Sequence, residues 1–365
     1  MRVTSSMPFN QLARGIKEQM NALTKLNLQL IDGKKITKPS DDVSGTVEAL
    51  GYRLSLSSNE QYQQNLTRVK TILTFTETQL NQVSDTLNRI KEMALVGGDA
   101  SITDSERDYY AENTTLLKGF LLDLSNSTYE NRYLFSGFRT DQKAYAYDSA
   151  TQRYLYQGDS GQIPFAVDRD MTQVMNFVGS SDDPSVTTVF SFTLADAEEV
   201  TLSDGSLVTY TAVPDPGSGT TSIQVTISHP DHPGDPDYED QFSFSNFMEM
   251  ADILAHAWRY EEVDGTPLNP SEAFRRVQAM VFPLEKAVEQ VITVRSELAA
   301  RQIFLENREE GLRAEKEVLQ NRLSAVQDTD LAETIVSLQQ VSMSLEALRR
   351  SSARILSQSL FDFLS

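Results

Sequence analysis

The 365-residue chain carries 52 Asp and Glu against 32 Lys and Arg, a net charge of −20, and no cysteine. Such a charge repels phosphate backbones and anionic lipid, so nucleic acid and membrane surfaces are poor partners, although a local basic patch is compatible with it. The missing thiols exclude disulfides, thiolate metal sites and cysteine nucleophiles, and the length allows two or three domains with a substantial core.

The first fifteen residues, MRVTSSMPFNQLARG, hold no apolar run of signal-peptide type, and no segment approaches the roughly 20 apolar residues of a membrane span. The expectation is a cytoplasmic protein, or one exported by a route that reads no cleavable signal. Phe9, Ile16, Leu23 and Leu30 then recur every seven residues, with Leu12, Met20 and Leu26 on nearly the same face. That stripe is narrow enough for a coiled-coil seam.

The stretch DGKKITKPSDD, residues 32–42, follows. It contains Gly-Lys, but a phosphate loop needs a glycine five residues earlier and Ser or Thr after the lysine; Leu28 and Lys35 stand there. A corner between helices accounts for each residue type. Gly33 suits a left-handed C-terminal position, Lys34 and Lys35 lie where a helix C-terminus attracts cations, and Pro39 stiffens the turn. Ser40, Asp41 and Asp42 can cap the next helix. If the corner does more, Lys34, Lys35 and Lys38 on one side and Asp41 and Asp42 on the other can make electrostatic contacts between stacked subunits.

Val43, Val47, Leu50 and Leu54 resume helical spacing. Leu66, Val69, Leu73, Thr76, Leu80, Val83, Leu87, Ile90 and Ala94 continue it in steps of three and four. The spacing predicts one helix of about 80 Å, ended by Gly97 and Gly98. Thr103 and Glu106 form a capping-box pattern that opens a shorter helix with Leu117, Leu121 and Leu124.

From about Tyr129 the period changes to two. Tyr145 and Tyr147 face Tyr154 and Tyr156 across a polar turn, a hairpin whose aromatics are expected to be sheet packing rather than a ligand cage. Between about 180 and 245, turn-rich clusters separate β-branched runs such as TVFSFT, LVTYTAV and IQVTI, and predict an inserted β domain. Its loop HPDHPGDPDYED offers His229, Asp231, His232, Asp235 and Asp237, zinc-ligand types without an identifiable distant partner, and reads as a solvated tip. His256, in MEMADILAHAW, reads as a packing residue because a general base also needs an orienting partner and a cleft. Nothing argues for an enzyme, and no cofactor is expected.

Helix returns near Asn246. Val277, Leu284, Val291, Leu298, Leu305, Leu312, Leu319 and Val326 recur at sevens, with Val281 and Val288 widening the early stripe. The register breaks at Gln327–Asp330 and restarts as Leu331, Ile335, Leu338, Val341, Leu345, Leu348 and Ile355, with Asp328 and Asp330 as caps. The predicted fold is mainly α with an inserted β domain. Its divisions are an N-terminal assembly helix (1–36), helical rod segments (37–140 and 246–327), the β insert (141–245) and a C-terminal assembly helix (328–365). The end helices are expected to pair with each other or with neighbouring subunits, through Phe9, Ile16, Leu23, Leu30, Leu331, Leu338, Val341, Leu345, Leu348 and Ile355. A thin pair has little core, so disorder in the monomer is expected.

Four stretches carry a family resemblance: LIDGKKITKPSDD; LNRIKEMALVGGDASITDSER; NRYLFSGFRTDQKAY with YLYQGDSGQ; and the segment from DTDLAETIVSLQQ to SLFDFL. Together they resemble the flagellin superfamily, and specifically its hook-associated protein 3 family; FSGFRTDQKAY and SLFDFL favour that family over flagellin itself. The resemblance implies a structural protein without catalysis, exported through the flagellar type III apparatus with a cytoplasmic chaperone holding its C-terminal helix. It would sit outside the cell in the flagellum, as a ring between the neighbouring hook-associated junction protein and the first flagellin layer. A filament flagellin and a coiled-coil secreted adaptor or effector remain as alternatives.

Overall fold

The computed structural model of the protein describes residues 6–98, 102–181, 183, 185–192, 197–215, 220–229, 231 and 239–364. For residues 6–9, 215, 220 and 355–364 it describes the course of the backbone alone. The chain forms two compact units, one from residues 62–309 and one from residues 1–61 with 310–365.

Four helices open and close the chain: α1 (Ser6–Asp32), α2 (Val43–Gly97), α6 (Val281–Gln327) and α7 (Leu331–Leu364). Within the 62–309 unit, every member of the predicted α2 stripe from Leu66 to Ala94 is buried, Thr76 being the most accessible at 4%. Leu284, Val291, Leu298 and Leu305 of α6 are equally closed to solvent. Burial of that kind contributes about 1.5–3 kcal/mol per side chain, and it outweighs the propensity cost of the four threonines between Thr67 and Thr76. Lys70 to Glu309 at 2.8 Å and Gln302 to Glu77 at 3.2 Å tie α2 to α6.

Helix α3 (Asp104–Ser125) starts as expected: Glu106 N–H donates to the Thr103 side chain, and the Glu106 carboxylate accepts from Thr103 N–H at 2.8 Å. Helix α3 packs on α4 (Phe247–Trp258), and α4 on α5 (Pro270–Ala279). The glycine pair at the end of α2 has a different cause from a left-handed stop, since neither glycine has positive φ. A Cβ on Gly97 would lie 2.6 Å from Nε1 of the buried Trp258, so the position is glycine because the indole lies against it.

Short strands begin at β1 (Thr128–Tyr129) and β2 (Arg132–Tyr133), ahead of residue 141. The expected hairpin is β3 (Tyr145–Asp148) with β4 (Arg153–Tyr156), and its register sets Tyr145 opposite Tyr156 and Tyr147 opposite Tyr154. Tyr145 and Tyr154 are buried. A second hairpin, β5 (Pro164–Asp168) with β6 (Met171–Val174), precedes a four-stranded antiparallel sheet of β7 (Glu198–Thr201), β8 (Leu207–Asp215), β9 (Thr220–Ser228) and β10 (Asp240–Phe244). The strand order is β10-β9-β8-β7. LVTYTAV and IQVTI are strands β8 and β9, and Val208, Tyr210, Val225 and Ile227 alternate onto the buried face.

Residues 188–192 of TVFSFT do not form the expected strand; Thr193 lies outside the described residues. Thr188 and Ser191 make single bridges to Val178 and Asn246, and Phe190 and Phe192 lie edge-on against Phe135, Phe244 and Phe247. Gln290 of α6 donates to Thr188 O, satisfying backbone that no ladder serves. The run is apolar because it is interior.

Two buried ion pairs brace the 62–309 unit. Arg276 of α5 holds Asp240 of β10 with two nitrogens, one at 2.7 Å. Lys118 of α3 reaches Asp252 of α4 at 2.6 Å, and His256 Nδ1 lies 3.4 Å from the same carboxylate.

Candidate assembly surface

In the other unit, α1 packs along α7. Ile16, Leu23 and Leu30 meet that seam half-buried, as do Leu338, Val341 and Leu348, while Leu345 is buried at 8% exposure. Gly15 fits under Leu348, its Cβ position 3.9 Å from Cδ1. The side chains of Phe9 and Ile355 lie outside the described residues. The ends are thus helical and mutually paired in the single chain, where disorder was expected. Each helix shields one flank of the other and leaves its own outer flank to solvent. Met20 and Ile31 on α1 and Leu331, Ile335, Val336 and Met343 on α7 are exposed, Leu331 lying outside the seam.

The opening turns of α2 extend this pattern. Val43, Val47, Leu50 and Leu54, one face by spacing, are 55–70% exposed. Ala49 and Asn59 turn inward, and Asn59 Nδ2 donates to Leu312 O at 3.0 Å. A soluble monomer rarely leaves so many large apolar side chains on helices already part-covered, and such faces mark interaction surfaces.

The 32–42 corner contains no strand and no phosphate-loop geometry. Gly33 takes φ +66 and ends α1, as expected. Asp42 caps α2 by accepting from Gly45 N–H at 2.9 Å, and Gly45 is closed in by Asp42 and Ile36. Asp41 does not cap: it accepts from Thr37 and from Lys38 N–H, and pairs with Lys25 of α1 at 3.0 Å. The Lys25 contact leads the causes that bring its carboxyl down to about 2. Both aspartates are therefore engaged within the corner and its two helices, whereas Lys34, Lys35 and Lys38 are exposed and make no ion pair among the described residues.

The corner has a partner that sequence reasoning missed. Lys35 N–H donates to Gln327 O at 2.8 Å and Thr329 N–H to Gly33 O at 3.0 Å, clasping the α1–α2 corner to the α6–α7 corner. Arg53 Nη2 donates to Gln327 Oε1 at 2.8 Å and secures the clasp. Asp330 caps α7 by accepting from Ala332 and Glu333 N–H, as expected, while Asp328 turns back to Ser324.

Of the zinc-type loop, His232, Asp235 and Asp237 lie outside the described residues. His229 Nε2 lies 3.1 Å from Asp204 O and its Nδ1 accepts from Asp231 N–H. No cluster of three metal-ligating side chains occurs among the described residues. His256 is held by Asp252, which raises its pKa. Among the described residues no helix is long and apolar enough to cross a membrane.

Residues 3–140 match the family described as bacterial flagellin N-terminal helical region. This part of the chain is similar to the flagellin helical region. It comprises α1, the corner, α2, α3 and the β1–β2 hairpin. Over 188 residues the chain is 29% identical to flagellar hook-associated protein 3 of Salmonella typhimurium and 26% identical to that of Escherichia coli. Those alignments cover 51% of the chain and 58% of each relative, so the chain spans little more than half the length of the curated relatives it matches. Two solved structures share the fold. A flagellar hook-associated protein of Vibrio parahaemolyticus matches at TM-score 0.56 and 19% identity, over 79% of this chain and all of that one. Hook-associated protein 3 of Legionella pneumophila matches at 0.54 and 18%, over 75% and 98%. The resemblance to the flagellin superfamily and to hook-associated protein 3 is borne out, as is the mainly helical flagellin-like fold with its inserted strands.

Proposed function

We propose that this protein is a structural component of the bacterial flagellum that joins the hook to the flagellin filament as a self-assembling ring. The observation that carries the reading is the flagellin-type end-helix pair, which leaves apolar flanks on α1, α7 and the start of α2 open for neighbours. The names of the matched relatives support this reading of its place in the organelle. Its partners are further copies of itself, the neighbouring hook-associated junction protein and flagellin, and before assembly an export chaperone and the type III export apparatus. It acts outside the cell by packing, without catalysis or cofactor. The assembly residues are Ile16, Leu23, Leu30, Leu331, Leu338, Val341, Leu345 and Leu348, with Phe9 and Ile355 at the ends. Lys34, Lys35 and Lys38 supply corner charge to a neighbour.

Deleting the gene is expected to leave hooks without filaments and to release flagellin into the medium. Filaments of normal length on the deletion strain would end the proposal. A tagged copy is expected at the hook–filament boundary by electron microscopy; labelling along the whole filament would instead identify a flagellin.

A further inference from the structure

In the 62–309 unit, a pocket of 290 Å³ opens between α2 and the two small hairpins. Its floor is Ile72 and Thr76 of α2, both closed to solvent. The walls are mostly apolar, with Tyr129 and Tyr133 from the first hairpin, Phe165 from the second and Ile163 and Met175 flanking it, and Thr140 and Asn176 as polar members. Phe138 stands at the mouth, 62% exposed, its ring seated on Gly161, where a Cβ would come within 2.0 Å of it. An aromatic ring held out at a pocket mouth by a glycine seat is available to a guest.

The rim carries two arginines, Arg68 and Arg132, against one glutamate, Glu130, an excess of positive charge in an acidic protein. Arg132 lines it and has no acidic partner among the described residues. Arg68 meets Glu130 at 3.5 Å, with both side chains more than half exposed, a pair worth little in water. The turn joining β1 to β2 places these groups through two left-handed residues, Glu130 at φ 49 and Asn131 at φ 61. Positive φ at both central residues is what a two-residue hairpin turn of this kind requires.

Tyr129 also lines a separate open groove on α2, floored by Thr67, Thr71, Thr74 and Thr78 and by Phe75. All four threonine hydroxyls donate to the carbonyl one turn back, so the stripe presents few unmet polar groups. A mostly apolar pocket with a cationic rim fits a chain segment that inserts one large side chain.

We propose that this pocket receives an aromatic or large aliphatic side chain flanked by carboxylates, presented by a partner protein. That the guest is a protein rests on the assembly reading above; the pocket chemistry does not. The test uses the full chain with 13C-methyl methionine, titrated with acetyl-Asp-Phe-Asp-amide. Expected is a saturable shift of the Met175 methyl, with the exposed Met20 and Met343 unmoved. Acetyl-Lys-Phe-Lys-amide and acetyl-Asp-Ala-Asp-amide are expected to bind at least tenfold more weakly. Arg132→Glu, an exposed change that leaves packing alone, should weaken the acidic peptide about tenfold, and Ile163→Trp should abolish its binding by filling the pocket. No Met175 shift, equal shifts at all three methionines, or equal affinity for the lysine peptide would each overturn the proposal. These outcomes are independent of whether the protein is found in flagella, so either reading can fail alone.

Discussion

Asp41 shows how one carboxylate fixes a corner that length and flexibility would otherwise leave open. Its oxygens take the Lys38 amide, the Thr37 amide and hydroxyl, and the Lys25 ammonium, which together depress its pKa to about 2. A depressed carboxyl stabilises the folded corner above its unfolded value of about 3.9 and loses that contribution as pH falls through the folded value. Protection of the Lys38 amide from hydrogen exchange should therefore drop between about pH 4 and about 2. Asp41→Asn should show the loss already at neutral pH. Unchanged Lys38 protection in that variant would mean the turn holds itself without the carboxylate. The sequence marked Gly33 as left-handed and Asp41 as a cap for the next helix, but Asp41 turns back to Thr37, Lys38 and Lys25, and Lys25 lies on a helix upstream, where spacing alone names no partner.

Between elements, the α3–α4 contact turns on a buried charge. Asp252 is almost closed to solvent, and Lys118 and His256 share it. Lys118→Met leaves that carboxylate with the imidazole alone and should destabilise the 62–309 unit by about 3–5 kcal/mol, read from chemical unfolding. His256, whose pKa the Asp252 contact raises, contributes stability below its unfolded value of about 6.5 and loses it as pH rises through the raised value. The variant, now dependent on that contact, should lose further stability on going from acid to neutral pH more steeply than the wild type; parallel pH profiles would contradict the shared role. At this scale regular patterns were legible. The three-and-four spacing of α2, the Thr103–Glu106 cap and the tyrosine register of β3 and β4 all follow from periodicities that the backbone imposes. TVFSFT misled because a buried irregular segment has the same apolar, β-branched composition as a strand. Val43 to Leu54 were read correctly as one face, but spacing cannot say whether the chain itself covers that face.

For the molecule as a whole, the chain divides into a core unit and an end-helix unit that can be perturbed separately. Leu345→Glu, placed in the α1–α7 seam, should unpair the end helices while the 62–309 unit keeps its packing. Limited proteolysis should then remove the ends and leave a resistant fragment near residues 62–309, and a strain carrying the variant should lack filaments. Ends as protected as in wild type would refute the seam. The clasp between corners was illegible in the sequence because backbone amides and carbonyls carry it, and these are the same at every residue. It also sets a constraint in time. Arg53 and Gln327 stand 274 residues apart, and closing so long a loop from the open chain costs about 5 kcal/mol of entropy. Once the intervening residues 62–309 have folded, most of that cost has already been met by contacts of their own, and the corners close as if they were near neighbours. Contact order alone thus favours closing the clasp after the 62–309 unit has folded, with the end helices the last to find each other.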